Sequence, residues 1–200
     1  EDKAKSTKIG NEELAALDRG TLDFLKEVII GINGSLEITL EAMTRERDVL
    51  NVVSSHLTNK STRLESKDEN EVRQVKGFVD ELVGLEGKSG RFGEILLILN
   101  EVKEQLTGSG AVDQKVLDMM ENVERNTNLV SGASNLLDEV LQGLKVTGEE
   151  EISGANYNIK DNIDTAAEII FDAKGELGYT YGSIGKMLKQ IEEVKIANGE

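Results

Sequence analysis

Large apolar residues recur every seventh position over the first half of the chain. The rungs are Leu22, Ile29, Leu36, Met43, Leu50, Leu57, Leu64, Phe78, Leu85, Phe92, Leu99 and Leu106, and Glu71 is the one polar interruption. An isolated α-helix has 3.6 residues per turn and drifts out of phase with a strict repeat of seven. A ladder of this length therefore predicts helices wound along partner helices through a shared apolar seam. After the midpoint the period resumes at Val116, Val123, Val130, Leu137 and Leu144, then shifts phase at Ile163, Ile170, Leu177, Ile184 and Ile191. Ile159, Ala166, Ala173, Met187 and Val194 are companion positions in the last run.

Breaks in the pattern set the expected organisation. Residues 1–10 are polar and read as a disordered segment. Asn11 followed by Glu12 and Glu13 reads as a helix start, with a capping side chain and then acids where the helix dipole favours them. A first helical arm is expected over 11–106. Between Ser66 and Asn70 the stripe is lost, and Val72, Val75, Val79 and Leu82 carry it one position later. We read this as a stutter in the supercoil, with a helix break as the alternative. Gly77, Gly84, Gly87, Gly90 and Gly93 then fall off the ladder and read as a flexible hinge, or alternatively as a loop between helices. Thr107-Gly108-Ser109-Gly110 is the strongest turn signal, close to the midpoint. A second arm over 112–200 carries a register break near 147–155.

The expected fold is all-α: an elongated antiparallel helical hairpin turning at 107–111 and dimerising through its seam. The alternative is a compact bundle of five or six helices, broken near 34, 66–70, 86–90, 107–111 and 147–155. Composition favours long helices. There is no proline, aromatics make up 4% and charged residues 30%. A net charge of −15 opposes binding to nucleic acid or to an anionic membrane surface. No segment has the ~18–20 consecutive apolar residues of a membrane span.

Candidate chemistry is sparse. There is no cysteine, and His56 is the one histidine, beside ladder residue Leu57, where it reads as a solvated or seam-flanking side chain. A single histidine without cysteine cannot build an ordinary zinc centre. Gly87-Lys88-Ser89 imitates the end of a phosphate-binding loop, but the glycine that loop requires upstream is replaced by Leu82. No catalytic, metal or cofactor residues are therefore expected. Tyr157, Tyr179 and Tyr181 read as edge packing. The small and polar rungs Thr127, Ser134, Ala166, Ala173 and Thr180 imply close helices with more than one acceptable packing.

Several phrases resemble a known family. Gly108-Ser109-Gly110-Ala111-Val112-Asp113-Gln114-Lys115-Val116-Leu117 and Val130-Ser131-Gly132-Ala133-Ser134-Asn135-Leu136-Leu137 resemble the cytoplasmic coiled-coil region of bacterial methyl-accepting chemotaxis proteins. So do Gly148-Glu149-Glu150-Glu151-Ile152-Ser153-Gly154-Ala155 and the run from Lys88 to Gln105. The resemblance covers roughly residues 75–195. It implies a cytoplasmic homodimer of helical hairpins, non-enzymatic, transmitting conformational change to a histidine kinase through a coupling protein. It also implies adaptation by glutamate methylation, for which Glu150, Glu151 and Glu168 lie beside small residues. The chain departs from the family after Gln105, where Leu106-Thr107-Gly108-Ser109-Gly110 stands in place of the Asn/Ala/Glu-rich kinase-binding tip. Without the resemblance, the rival functions are a helical binding module, as a sensor domain or bacterial surface protein in a periplasmic or surface setting, and a purely structural coiled coil.

Overall fold

A computed structural model describes residues 14–57, 64–85, 88–106, 111–146 and 152–199. Among them there are five helices and no strand: α1 (Arg19–Leu57), α2 (Ser66–Val83), α3 (Arg91–Gln105), α4 (Ala111–Val146) and α5 (Ile152–Ala197). The chain is all-α. The first arm expected over 11–106 holds three of these helices and the second arm holds two. The segment 1–10 expected to be disordered, the helix start expected at Asn11 and the turn expected at Thr107-Gly108-Ser109-Gly110 lie outside the described residues. So does the core of the register break, 147–151.

Local chemistry explains where the helices begin and end. The Asp18 carboxylate accepts the Thr21 amide at 2.7 Å and so caps the open N-terminus of α1. That hydrogen bond also holds the Asp18 carboxyl below its ordinary pKa. His56 is exposed in the last turn of α1. The polar run Ser66–Asn70 is the first turn of a new helix rather than a stutter within a continuous one. Glu65 and Asp68 form a capping box there, and Asp68 and Glu69 lie at the positive end of the α2 dipole. Helix α1 runs unbroken through Gly31 and Gly34, so the break contemplated near 34 does not occur.

The glycines expected to form a hinge inside one helix divide differently. Gly77 sits within α2 and Gly93 within α3, while Gly84 and Gly90 build the connection between those helices; Gly87 lies outside the described residues. Gly84 ends α2 with φ near 83°, and its amide donates to the Asp80 carbonyl at 2.8 Å. A Cβ on Gly84 would stand 2.1 Å from the Lys88 carbonyl oxygen, and one on Gly90 would stand 2.4 Å from the Gly84 nitrogen. Backbone here passes against backbone, a closeness that glycine permits and other residues do not.

The chain divides into two packed units. The first contains Glu1–Thr39, Glu94–Glu124 and Leu177–Glu200; the second contains Leu40–Gly93 and Arg125–Glu176. Each unit thus gathers four helical segments. Helices α1, α4 and α5 contribute to both, α2 belongs to the second, and α3 lies in the first apart from its opening turn.

In the first unit the core takes Leu22, Leu25, Ile29, Ile32 and Leu36 from α1, and Ile95, Leu99, Val102 and Leu106 from α3 and its end. Helix α4 adds Val116, Met119 and Val123, and α5 adds Leu177, Thr180, Ile184, Met187 and Ile191. The α1 and α5 segments run antiparallel, because Lys26 pairs with Glu192 and, three residues earlier on α1, Asp23 pairs with Lys195 three residues later on α5. Asn122 of α4 donates to the Thr180 hydroxyl of α5 at 2.6 Å, so that buried polar rung is satisfied.

In the second unit α1 supplies Met43, Leu50 and Val53, and α2 supplies Val72, Val75, Val79 and Leu82. Helix α4 supplies Val130, Ala133, Leu137 and Val140, and α5 supplies Ile159, Ile163, Ala166, Ile170 and Ala173. Here too α1 and α5 are antiparallel: Ser54 donates to Asp164, and seven residues back on α1 the Arg47 guanidinium lies 5.2 Å from the Phe171 ring centroid. Helices α4 and α5 are antiparallel as well, through Asn126 to Glu176 at 3.1 Å and the approach of Gly143 to Ile159. The second arm is therefore itself folded back on itself. Asp80 joins α2 to α4, accepting from Ser134 and, at 2.6 Å, from Lys76.

The ladder rungs Leu22, Ile29, Leu36, Met43, Leu50, Leu57, Phe92, Leu99 and Leu106 are buried by the chain's own helices. Leu64 and Phe78 are half-buried, and Leu85 is 56% exposed in the α2–α3 connection. The buried rungs are covered within one chain, so a second copy would have to meet another face.

The α1–α5 ion pairs of the first unit carry a pH signature. The hydrogen bond from Lys195 lowers the Asp23 pKa, and that from Lys26 lowers the Glu192 pKa. A carboxylate depressed in the folded state stabilises at pH above its unfolded value, and that contribution is lost as pH falls through the folded value. Melting temperatures of the parent chain are expected to fall more steeply than those of an Asp23→Asn/Glu192→Gln double variant as pH drops below the ordinary carboxylate range. Both groups are exposed, so the difference should be small and should shrink in high salt. Identical acid profiles would contradict the pairing.

Candidate functional site

A concave feature lies in the second unit, between α1 and α5. It is an open groove of about 410 Å³ lined by Arg47, Asn51, Asp164, Ala167, Glu168 and Phe171. Helical spacing assembles it. Arg47 and Asn51 are four apart on α1, while Asp164, Ala167, Glu168 and Phe171 recur at three- and four-residue intervals on α5, so each set shares one face. Both sets flank a buried seam: Leu50 on one side, and Ile163, Ala166 and Ile170 on the other. Ala167 is 4% exposed, and its single methyl group leaves the floor of the groove low.

The charged groups are held unequally. Asp164 accepts from the Ser54 hydroxyl and from Lys160 at 2.6 Å. The Arg47 guanidinium donates through Nε and Nη2 to its neighbour Asp48, at 3.2 and 2.6 Å, and rests over Phe171. Such a cation–π contact contributes about 0.5–1 kcal/mol at an exposed site. Among the described residues, no side-chain hydrogen bond engages Arg47 Nη1, the Asn51 side-chain amide or the Glu168 carboxylate. The groove offers ion-pairing and hydrogen-bonding groups, and its lining contains no nucleophile paired with a base. Among the described residues, no group of three or more His, Cys, Asp or Glu side chains could hold a metal ion. No helix among them is long and apolar enough to cross a membrane.

Of the residues singled out in the sequence, the structure brings one to this groove. Glu168 is exposed on its rim, whereas Glu150 and Glu151 lie outside the described residues. Tyr179 does not pack at an edge and is 80% exposed. Ser134, Ala166, Ala173 and Thr180 are buried, but Thr127 is only half-buried, and its neighbour Asn126 takes the core position on α4. Arg47, Asn51, Asp164 and Phe171 were not apparent as a group. The available signal was Phe171 itself, an aromatic residue one position past seam residue Ile170 and so turned out of the core.

No family model, curated protein or solved structure matches the chain.

Proposed function

We propose that the chain is a non-enzymatic helical signalling module that passes conformational change along helices shared by two packed units. The observation that supports this is the continuity of α1, α4 and α5, each of which contributes side chains to both cores. Packed cores respond in discrete steps rather than by smooth deformation, and a continuous helix carries a shift in one core along its length. Small and polar seam positions, Ala133, Ser134, Ala166, Ala173, Thr39 and Thr180, lower the cost of repacking relative to interlocked large side chains. In line with the chemoreceptor resemblance, we place the module in the cytoplasm as a homodimer, with a histidine kinase and its coupling protein as partners.

The test locks one unit and reads the other. A Ser54→Cys/Asp164→Cys pair, oxidised to a disulfide, fixes α1 against α5 in the second unit. Amide exchange in α3 and in residues 177–197 of α5 is expected to change severalfold between the reduced and oxidised forms. Changes confined to the second unit would overturn the reading.

A further inference from the structure

We propose that the α1–α5 groove binds a small zwitterion of the α-amino-acid class, with its carboxylate on Arg47 and Asn51 and its ammonium on Glu168. Several charges of the groove are already answered. Asp164 is met by Ser54 and Lys160, and two of the three Arg47 nitrogens are met by Asp48. Among the described residues, the groove lining leaves one guanidinium nitrogen, Arg47 Nη1, one neutral side-chain amide, Asn51, and one carboxylate, Glu168, without a hydrogen-bond partner. A ligand that satisfies them must carry both signs.

Other ligand classes fit less well. A dianion would meet Glu168 and Asp164 and a chain whose net charge is −15. A diamine would bring a second cation against Arg47. A divalent cation would find one free carboxylate beside a guanidinium, too few oxygen ligands for calcium or magnesium. A purely apolar molecule would cover three polar groups without bonding them, which costs free energy. The volume of about 410 Å³ lies at the small end of the range for ligand pockets. The Ala167 methyl and the exposed part of the Phe171 ring offer an apolar shelf for the ligand's own side chain.

The inference stands apart from the signalling reading, because binding is measured on the chain alone without any coupling between units. The probes are L-phenylalanine, phenethylamine, which lacks the carboxylate, and 3-phenylpropionate, which lacks the ammonium. Titrations followed by amide chemical shifts should show saturable L-phenylalanine binding, with shifts centred on 47–51 and 164–171. Each truncated probe should bind at least about tenfold more weakly, the scale of losing one charge-assisted contact. Glu168→Gln should weaken L-phenylalanine by a similar factor and leave 3-phenylpropionate unchanged. Arg47→Met should weaken L-phenylalanine and leave phenethylamine unchanged. Absence of saturable binding, equal binding of all three probes, or shifts centred elsewhere would overturn the proposal.

Discussion

Phe92→Ala is expected to destabilise the chain by about 3–5 kcal/mol, and Leu85→Ala by no more than about 0.5 kcal/mol. The two residues stand seven apart on the same ladder and look equivalent in the sequence. In the structure Phe92 is fully buried, among the largest side chains of the core, while Leu85 is 56% exposed. Truncating Phe92 removes a ring from close-packed surroundings and leaves a cavity that neighbours fill only in part. Truncating Leu85 removes a side chain already in water. Urea unfolding monitored by circular dichroism gives both values, provided the slope with denaturant is unchanged. Equal losses would mean that the ladder runs unbroken through the α2–α3 connection.

Gly90→Ala is expected to cost roughly 2–4 kcal/mol, the range of overpacking combined with backbone strain. The added methyl would meet the Gly84 nitrogen and the Leu82 carbonyl oxygen, each at 2.4 Å, and backbone atoms have no rotamer to escape into. Gly84→Ala should behave similarly, because its φ of 83° is unfavourable for a side chain and the Lys88 carbonyl blocks the space. Gly31→Ala supplies the contrast. Nothing lies within 4 Å of a Cβ at Gly31, and it is exposed within α1. An alanine there should stabilise the helix by roughly 0.5–1 kcal/mol. Melting curves of the three variants separate a tight helix connection from a permissive hinge. A neutral Gly90→Ala would contradict the close approach of the two backbones.

The contrast among these positions shows how much of the fold was legible. The helical class and the seams of α1, α4 and α5 follow from periodicity, because burying one face of a helix imposes its spacing on the apolar residues. In α5 the run Ile163, Ile170, Leu177, Ile184 and Ile191 is buried throughout. The shift between Leu64 and Val72 was also visible, but a stutter and a helix break leave the same phase change. What distinguishes them is the chemistry of Ser66–Asn70, polar and acidic as a helix N-terminus requires. The glycine cluster was visible too, yet only the close approach of Gly84 to Gly90 makes it a connection rather than a hinge.

The groove was far less legible. Arg47 and Phe171 are distant in sequence, and flanking positions on a helix carry no periodic mark. Only the antiparallel register of α1 and α5, set by Ser54 against Asp164 within that unit, brings them together.

The central claim is that α1, α4 and α5 are each one unbroken helix serving two cores, and native-state amide exchange tests it most directly. The chain leaves one unit for the other at Thr39–Leu40 on α1, Glu124–Arg125 on α4 and Glu176–Leu177 on α5. Two of these junctions lie near glycines, Gly34 on α1 and Gly175 and Gly178 on α5, where a helix would part most readily. Amides across all three junctions are expected to exchange as slowly as those of Leu50 and Ile191 within the cores. Rapid, loop-like exchange at Leu40, Arg125 or Leu177 would show a break in that helix and would contradict the claim.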